Sequence, residues 1–167
     1  MSDLDQTAGR ARWPVELSEV AAELDALFRG NPYLKHMDVE VETWGLGWAR
    51  TRMTPSTDVA NITGTAHGGV VVGLADAAFE IACNSYGRRC VAVELTTHFL
   101  APGRAGIPLV AEALEISRSA RIASYSVDVS EGEGSSRPVA TLLALAYRSE
   151  KWHLGADRYP EEWKARH

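Results

Sequence analysis

NITGTAHGGVVVGLADAAFEIACNS, residues 61–85, is the stretch that decides the fold of this chain. Its apolar residues follow a polar His67-Gly68-Gly69 turn and predict one long helix from about His67 to Ser85. The first backbone N–H groups of a helix attract an anion or a carbonyl oxygen. Asp76 lies among small apolar residues of this helix, where an ionised side chain is costly unless it is used. The stretch therefore predicts a site for acyl chemistry.

The helix pattern leaves two interpretations of its carboxylate open. Asp76 and Glu80 are four residues apart, so they either share a solvated helix face or Asp76 serves the chemistry. The recurrence of Gly69, Gly73 and Ala77 gives a second face almost no side chain. We expect a neighbouring backbone to approach closely at that face.

Strand-like segments flank the helix on both sides. Two of them precede it and are joined across Gly45-Leu46-Gly47, which is typical of a hairpin. Further strand-like segments follow at 90–100, 109–117, 121–130 and 139–147, and the last is apolar on both faces, which is typical of a central or interface strand. One apolar helix beside antiparallel strands predicts an α+β fold in which the helix covers the sheet.

The chain divides into one domain with a short segment at each end. We expect residues 1–16 to form a flexible arm, 17–148 the folded domain, and 149–167 a C-terminal tail with a short helix. Residues 131–136, EGEGSS, predict a flexible turn within the domain.

Composition excludes several classes of function. The net charge of −5 argues against nucleic-acid binding, and Asp76 and Glu80 interrupt the longest apolar run, so no membrane span is expected. Two cysteines, Cys83 and Cys90, and five histidines show no metal-binding spacing, so we expect no metal and no redox cofactor. The absence of an apolar signal core and of a disulfide framework favours a reduced, cytoplasmic setting.

Several short motifs occur together in an order that is more specific than any one of them. They are Asn61, His67-Gly68-Gly69, Leu74-Ala75-Asp76, ACNS at 82–85 and THFLAPG at 97–103. Over residues 33–148 the chain resembles the hotdog-fold acyl-CoA thioesterases of the phenylacetate-degradation (PaaI-like) family. The resemblance implies an α+β hotdog fold, in which an antiparallel sheet wraps around a long central helix.

The resemblance also implies catalytic roles in a site shared by two subunits. The Gly68 N–H would stabilise the oxyanion that develops on the thioester carbonyl. Asn61 would orient that carbonyl or the attacking water, and His67 would position the loop and the thioester. Asp76 of the partner subunit would act as nucleophile or general base, and the sequence leaves both roles open.

The implied substrate is an aryl- or medium-chain acyl-CoA, so coenzyme A is part of the substrate and no separate cofactor is expected. The implied assembly is a dimer or a dimer of dimers, that is, a homotetramer. Predicted substrate-binding residues are those near Asp76 on the helix and two arginines in turns at the sheet ends: Gly69, Val72, Phe79, Cys83, Arg104 and Arg118.

Two other functions compete with hydrolysis. A non-catalytic acyl-CoA-binding or regulatory hotdog protein would lack a competent carboxylate, and the spacing of Asn61 and Asp76 argues against it. A hotdog dehydratase or hydratase would use a histidine with an acidic residue, but His98 follows the helix on a strand, which is the wrong context.

Overall fold

A long helix lies against one face of a six-stranded antiparallel sheet in the computed structural model, which describes residues 12–132 and 137–167. The helices are α1 (Ser18–Arg29), α2 (Pro32–His36), α3 (Gly68–Asn84) and α4 (Glu161–Arg166). The strands are β1 (Glu40–Gly45), β2 (Trp48–Met53), β3 (Arg88–Phe99), β4 (Leu109–Arg118), β5 (Ile122–Glu131) and β6 (Arg137–Trp152). Short 3₁₀ turns lie at Val15–Leu17, Thr57–Val59 and Ala156–Arg158. The predicted α+β architecture is confirmed.

The strand order is β1-β2-β4-β5-β6-β3, with every neighbouring pair antiparallel. The predicted hairpin joins β1 to β2, where Gly45 pairs with Trp48. Strand β6 lies between β5 and β3, as its two apolar faces predict. Strand β3 follows α3 in the chain and forms one edge of the sheet, so its outer backbone edge has no neighbouring strand among the described residues.

Helix α3 packs mainly over β2 and β4, and its inward side forms the centre of the core. Leu74 and Ile81 are each 1% exposed, and burying one such side chain contributes about 1.5–3 kcal/mol. The Phe79 ring meets the Tyr125 ring of β5 edge-on, at 5.3 Å between centroids. This packing fixes which side of α3 remains for a site.

The C-terminal tail folds back on the domain through α4, which confirms the predicted short helix. The indole Nε1 of Trp163 donates to the Tyr86 carbonyl at 3.1 Å, and its ring stacks on Trp13 at 4.6 Å. Residues 1–11 of the predicted arm lie outside the described residues, as do 133–136 of the predicted flexible turn. The described end of the arm is packed rather than loose, because Trp13 lies against the tail.

Within the described ranges, every helix is too short or too polar to cross a membrane.

Candidate active site

His67 caps the N-terminal end of α3 and leaves one backbone donor free. Its backbone is extended, and its Nδ1 accepts the Gly69 N–H at 2.9 Å. The His67 carbonyl accepts the Val70 N–H at 2.9 Å. In the part of the chain that the structure describes, the Gly68 N–H has no acceptor. The positive end of the helix dipole therefore presents a single unsatisfied donor.

The Gly68 N–H borders a cleft of about 360 Å³, here named the Gly68 cleft. It is lined by Asn61, Thr65, Ala66, Gly68, Val71, Phe99, Leu100, Ala101, Pro102 and Gly103. A Cβ at position 68 would lie 3.1 Å from Cζ of Phe99, so the ring lies directly against the glycine. A Cβ there would require the ring to shift slightly, and the ring forms an apolar wall beside the free N–H.

Asn61 holds the loop that leads into the Gly68 cleft. Its Oδ1 accepts the Thr63 N–H at 2.9 Å and the Thr65 N–H at 3.2 Å. Its Nδ2 donates to Thr65 Oγ1 at 2.8 Å, which uses one of the two amide protons. Asn61 is thus a loop-ordering residue that keeps one side-chain donor for a ligand, and its catalytic role stays a prediction.

Asp76 is a half-buried carboxylate with no hydrogen-bond or ion-pair partner among residues 12–132 and 137–167. Desolvation by burial raises its pKa. Glu80, one turn later, is more exposed and accepts a hydrogen bond from Asn31 Nδ2 at 2.9 Å. Desolvation and the charge of Asp76 raise the pKa of Glu80. The two carboxylates therefore differ in their exposure and in their hydrogen bonding, and Asp76 is not on a freely solvated face.

A second cleft, of about 380 Å³, contains this carboxylate and is here named the Asp76 cleft. It is lined by Asn31, Tyr33, Asp76, Phe79, Glu80, Cys83, Asn84, Cys90, Val91 and Ala92. The Tyr33 hydroxyl from α2 lies against Gly73 and takes the space that a Cβ there would need. Within one chain, a side chain rather than the predicted backbone therefore covers this part of the small-residue face.

The two clefts share no lining residue among those that the structure describes. Gly68 and Asp76 are eight residues apart on α3, which corresponds to about 12 Å along the helix axis. An oxyanion donor and a catalytic carboxylate must both lie within about 3 Å of one reacting group. A single chain therefore does not bring its own Gly68 and Asp76 to the same carbonyl.

The predicted residues around Asp76 divide into two groups. Phe79 and Cys83 line the Asp76 cleft, although Phe79 is 1% exposed and is also a core residue. Val72 is absent from that lining, although it lies one helical turn before Asp76. Gly69 donates its N–H to His67 and lies outside both linings, so its predicted contact with substrate has no support here.

The two predicted arginines are held by other parts of the chain. The Arg104 backbone N–H and guanidinium both bind Glu131, at 2.7 and 2.9 Å, and Glu131 is fully buried. Burial opposes ionisation of Glu131, but the hydrogen bonds and charge of Arg104 outweigh it and lower its pKa. Arg104 thus anchors the turn before β4, and its exposed guanidinium has an ion-pair partner already.

Arg118 lies at the other end of α3. Its guanidinium pairs with Glu115 at 3.1 Å and lies 4.0 Å above the Tyr86 ring, just past the C-terminal end of the helix. Arg118 lines neither cleft of its own chain, and its predicted contact with substrate stays a prediction. The sequence offers no rule that assigns an arginine near a strand end to one neighbour rather than another.

Sequence reasoning missed three residues that shape the clefts: Asn31, Tyr33 and Phe99. Asn31 Oδ1 caps α2 by accepting the Tyr33 N–H at 2.9 Å. The Asn31-Pro32 pair is a recognisable helix-start signal. The hydrogen bond from Asn31 to Glu80 joins residues that are 49 positions apart in the chain, so no local sequence pattern predicts it.

Comparison with known proteins identifies thioesterases among the relatives of this chain. The Thioesterase superfamily model matches residues 63–136, which include the start of α3 and Asp76. The acyl-coenzyme A thioesterase PaaI of Escherichia coli K12 is 32% identical over 104 residues, 62% of this chain and 74% of the relative.

Two solved structures share the fold. The TT0310 protein of Thermus thermophilus has a TM-score of 0.67 and 33% identity, over 71% of this chain and 98% of that chain. The E. coli PaaI protein from the phenylacetic acid degradation operon has a TM-score of 0.73 and 29% identity, over 80% of this chain and 96% of that chain. The chain belongs to the hotdog-fold thioesterase superfamily, and the predicted fold and family are confirmed. It is a thioester hydrolase.

Proposed function

We propose that this hydrolase cleaves aryl- or medium-chain acyl-CoA thioesters to the free acid and coenzyme A, at a site that two subunits share. The observation that carries the proposal is the separation on one helix of the Gly68 N–H and the Asp76 carboxylate, neither of which has a partner among residues 12–132 and 137–167. Similarity to PaaI, an acyl-coenzyme A thioesterase, supports the substrate class.

The Gly68 N–H is suited to bind the thioester carbonyl oxygen. As the carbonyl carbon becomes tetrahedral, negative charge develops on that oxygen at the positive end of the α3 dipole. His67 assists by occupying the neighbouring N–H groups itself, so that the loop presents the Gly68 donor alone.

Asp76 of the other subunit has two possible roles. As a general base, it removes a proton from water, the water oxygen attacks the carbonyl carbon, and the C–S bond breaks to release the thiolate. As a nucleophile, its oxygen attacks the carbon, releases the thiolate, and leaves a mixed anhydride that water hydrolyses. Desolvation of Asp76 makes the carboxylate more basic and supports either route equally.

Edge strand β3 supports a dimer as the minimal unit. Val91 and Val93 are 61% and 60% exposed on this edge, which leaves apolar side chains and backbone groups for a second copy. Val91 lines the Asp76 cleft and Phe99 lines the Gly68 cleft, at opposite ends of β3. Antiparallel pairing of two β3 strands about a two-fold axis would therefore join the Asp76 cleft of one subunit to the Gly68 cleft of the other.

We also propose the tetramer, the cytoplasm as the site of action, and phenylacetate degradation as the pathway. The exposed outer-face residues Ile116 and Leu143 support a second interface for a dimer of dimers. The operon that encodes the E. coli PaaI protein supports the pathway. A stable, fully active monomer in light scattering at assay concentration would overturn the shared site.

Thiol release from a panel of acyl-CoA esters tests the activity. We expect turnover of phenylacetyl-CoA and medium-chain acyl-CoA, and a loss of at least ~100-fold in Asp76→Asn, the scale for a lost general base. Asp128→Asn, an exposed carboxylate on β5, is the matched control and should retain wild-type turnover. Wild-type turnover by Asp76→Asn would refute its role, and binding without thiol release would favour a non-catalytic module.

Mixing two inactive variants tests the shared site directly. Gly68→Pro removes the donor, and Asp76→Asn removes the carboxylate. A mixed dimer has one doubly damaged site and one intact site, so an equal mixture after subunit exchange should recover about a quarter of wild-type activity on statistical grounds. No recovery after verified exchange would show that Gly68 and Asp76 act within the same subunit.

A further inference from the structure

A third cavity lies behind the Asp76 cleft, between the end of α1 and the C-terminal half of α3. Its volume is about 430 Å³, within the range of small-molecule sites. Ala26, Leu27 and Phe28 line it from α1, and Ile81 lines it from α3. We name it the α1–α3 chamber.

The chamber and the Asp76 cleft are neighbouring compartments with a common wall. Both are lined by Asn31, Glu80, Asn84 and Cys90. The hydrogen bond from Asn31 Nδ2 to Glu80 Oε2, at 2.9 Å, lies on this wall. Because Glu80 is exposed, this bond is open to solvent and an entering group can pass beside it or displace it.

Asn84 and His153 line the chamber with side-chain polar atoms that are already paired. Asn84 Oδ1 accepts the Cys90 N–H at 2.8 Å and lies 2.7 Å from His153 Nε2, and Asn84 Nδ2 donates to the Glu80 carbonyl at 2.9 Å. Burial, and then the charge of Arg89, lower the pKa of His153 to about 4, so its ring is neutral at pH 7. Arg89 itself is not part of the lining. The paired amide and the neutral imidazole therefore leave the chamber suited to an apolar group.

Charge at the entrance limits what enters. Asp76 and Glu80 are both acidic and both border the way in. A carboxylate at the end of an acyl group would be repelled there and would find no cation among the chamber residues.

We propose that the α1–α3 chamber receives the distal part of the acyl group, and that the preferred substrates are uncharged acyl chains of medium length. This inference rests on the proposed function, because it takes Asp76 as the reacting end of the path. Ala26 and Leu27 of α1 are then specificity-determining residues, although they lie outside the Asp76 cleft.

A chain-length series of straight acyl-CoA esters, from acetyl to decanoyl, tests the chamber. In the wild type, kcat/KM should rise by roughly fourfold per buried methylene and then level off. Ala26→Phe fills the chamber from an exposed helix position, so the levelling should come at least two carbons earlier. Its kcat/KM for decanoyl-CoA should fall more than ~10-fold, and that for acetyl-CoA should change less than ~2-fold.

Matched variants separate this inference from the proposed function. Ala22→Phe, one helical turn earlier and also exposed, does not line the chamber and should keep the wild-type profile. Leu27→Ala enlarges the chamber, so kcat/KM should continue to rise up to longer acyl chains before it levels off. If Ala26→Phe leaves kcat/KM unchanged, or lowers it equally at every chain length, then the chamber does not receive the acyl group. Lack of thiol release from every ester by the wild type would instead overturn the proposed function.

A charged substrate provides an independent test. Succinyl-CoA should have a kcat/KM at least ~10-fold below that of butanoyl-CoA, and Glu80→Gln should narrow this gap. Equal use of the two esters by the wild type would contradict the proposed exclusion of charge.

Discussion

The two ends of α3 are built in opposite ways. At the C-terminal end, Ser85 Oγ donates to the Ala82 carbonyl at 2.7 Å and accepts the Gly47 N–H at 2.8 Å. Trp163 then covers the Tyr86 carbonyl. At the N-terminal end, His67 is exposed and the Gly68 N–H has no acceptor within the described residues.

The difference shows where the helix contributes stability and where it offers chemistry. Buried backbone groups without partners cost about 1–3 kcal/mol each. The C-terminal end, here called the sealed end, therefore pairs its buried backbone groups, and the N-terminal end is called the open end. A free donor at the positive end costs little while water can reach it, and it gains value when a carbonyl replaces the water. Substitutions at the open end should therefore change catalysis, and those at the sealed end should change stability.

The largest expected effect is the loss of the free donor in Gly68→Pro. Proline is tolerated at the first helical position, and His67 already has the extended backbone that precedes a proline. The missing N–H should lower kcat by ~10²–10³-fold, the scale for one oxyanion donor. Steady-state kinetics on the best acyl-CoA ester would measure it.

Gly68→Ala is the control for this change, because it keeps the N–H and adds the same Cβ against Phe99. We expect less than ~10-fold loss in kcat for Gly68→Ala, since the exposed Phe99 ring can shift slightly. Equal losses in the proline and alanine variants would assign the effect to crowding and remove the donor from the mechanism.

The next effect is the pH dependence of Asp76. Because burial raises its pKa, kcat/KM should fall tenfold per pH unit below a pKa that lies above the ordinary aspartate value of about 3.9. The folded state holds this proton at pH values where the unfolded chain has lost it. Stability should therefore fall as pH rises from the unfolded pKa to the raised folded pKa, and the loss is complete above it.

Asp76→Asn provides the check on this sign. It should lower turnover by the ~100-fold given above and raise the free energy of unfolding at pH 7, with a smaller gain near pH 4, as measured by urea denaturation. A less stable Asp76→Asn protein at pH 7 would mean that the carboxylate has a stabilising partner, such as a group of the second subunit.

At the sealed end, Ser85→Ala should affect stability alone. It removes both hydrogen bonds of a fully buried hydroxyl and leaves the Gly47 N–H without an acceptor. The free energy of unfolding should fall by about 1–3 kcal/mol, and kcat of the folded enzyme should stay within ~2-fold. Ser126→Ala on β5 is the control. A large loss of kcat in Ser85→Ala would contradict the proposal that this end of α3 contributes to stability alone.

The smallest expected effect concerns the cap at the open end. His67→Ala removes the acceptor of the Gly69 N–H and should lower the free energy of unfolding by about 1 kcal/mol. His67→Asn supplies another capping oxygen and should restore most of that loss. If kcat falls in both variants while stability recovers only in His67→Asn, then the ring contacts the substrate as well as the loop.

The elements that sequence predicts well are those whose cause is local. The long helix was expected from about His67 to Ser85 and spans Gly68–Asn84, because apolar periodicity and a polar cap act within a few residues. Asp76 was singled out because a carboxylate among alanines is costly wherever that helix packs. Its place in a cleft, without a partner in the described parts of the chain, agrees with that physical cost.

Long-range partners were decided by the tertiary structure alone. Phe99 reaches Gly68 only because β3 forms the sheet edge beside the start of α3, and Asn31 meets Glu80 across 49 residues. An arginine has the same charge at every surface position, so sequence cannot tell which anion or ring will hold it. Arg104 binds Glu131, and Arg118 lies over Tyr86, because the pairing of strands brings those partners within about 4 Å of them. Sequence thus determined the helix, the sheet and the position of the Asp76 carboxylate on that helix, and the packing of distant segments decided which residues surround it.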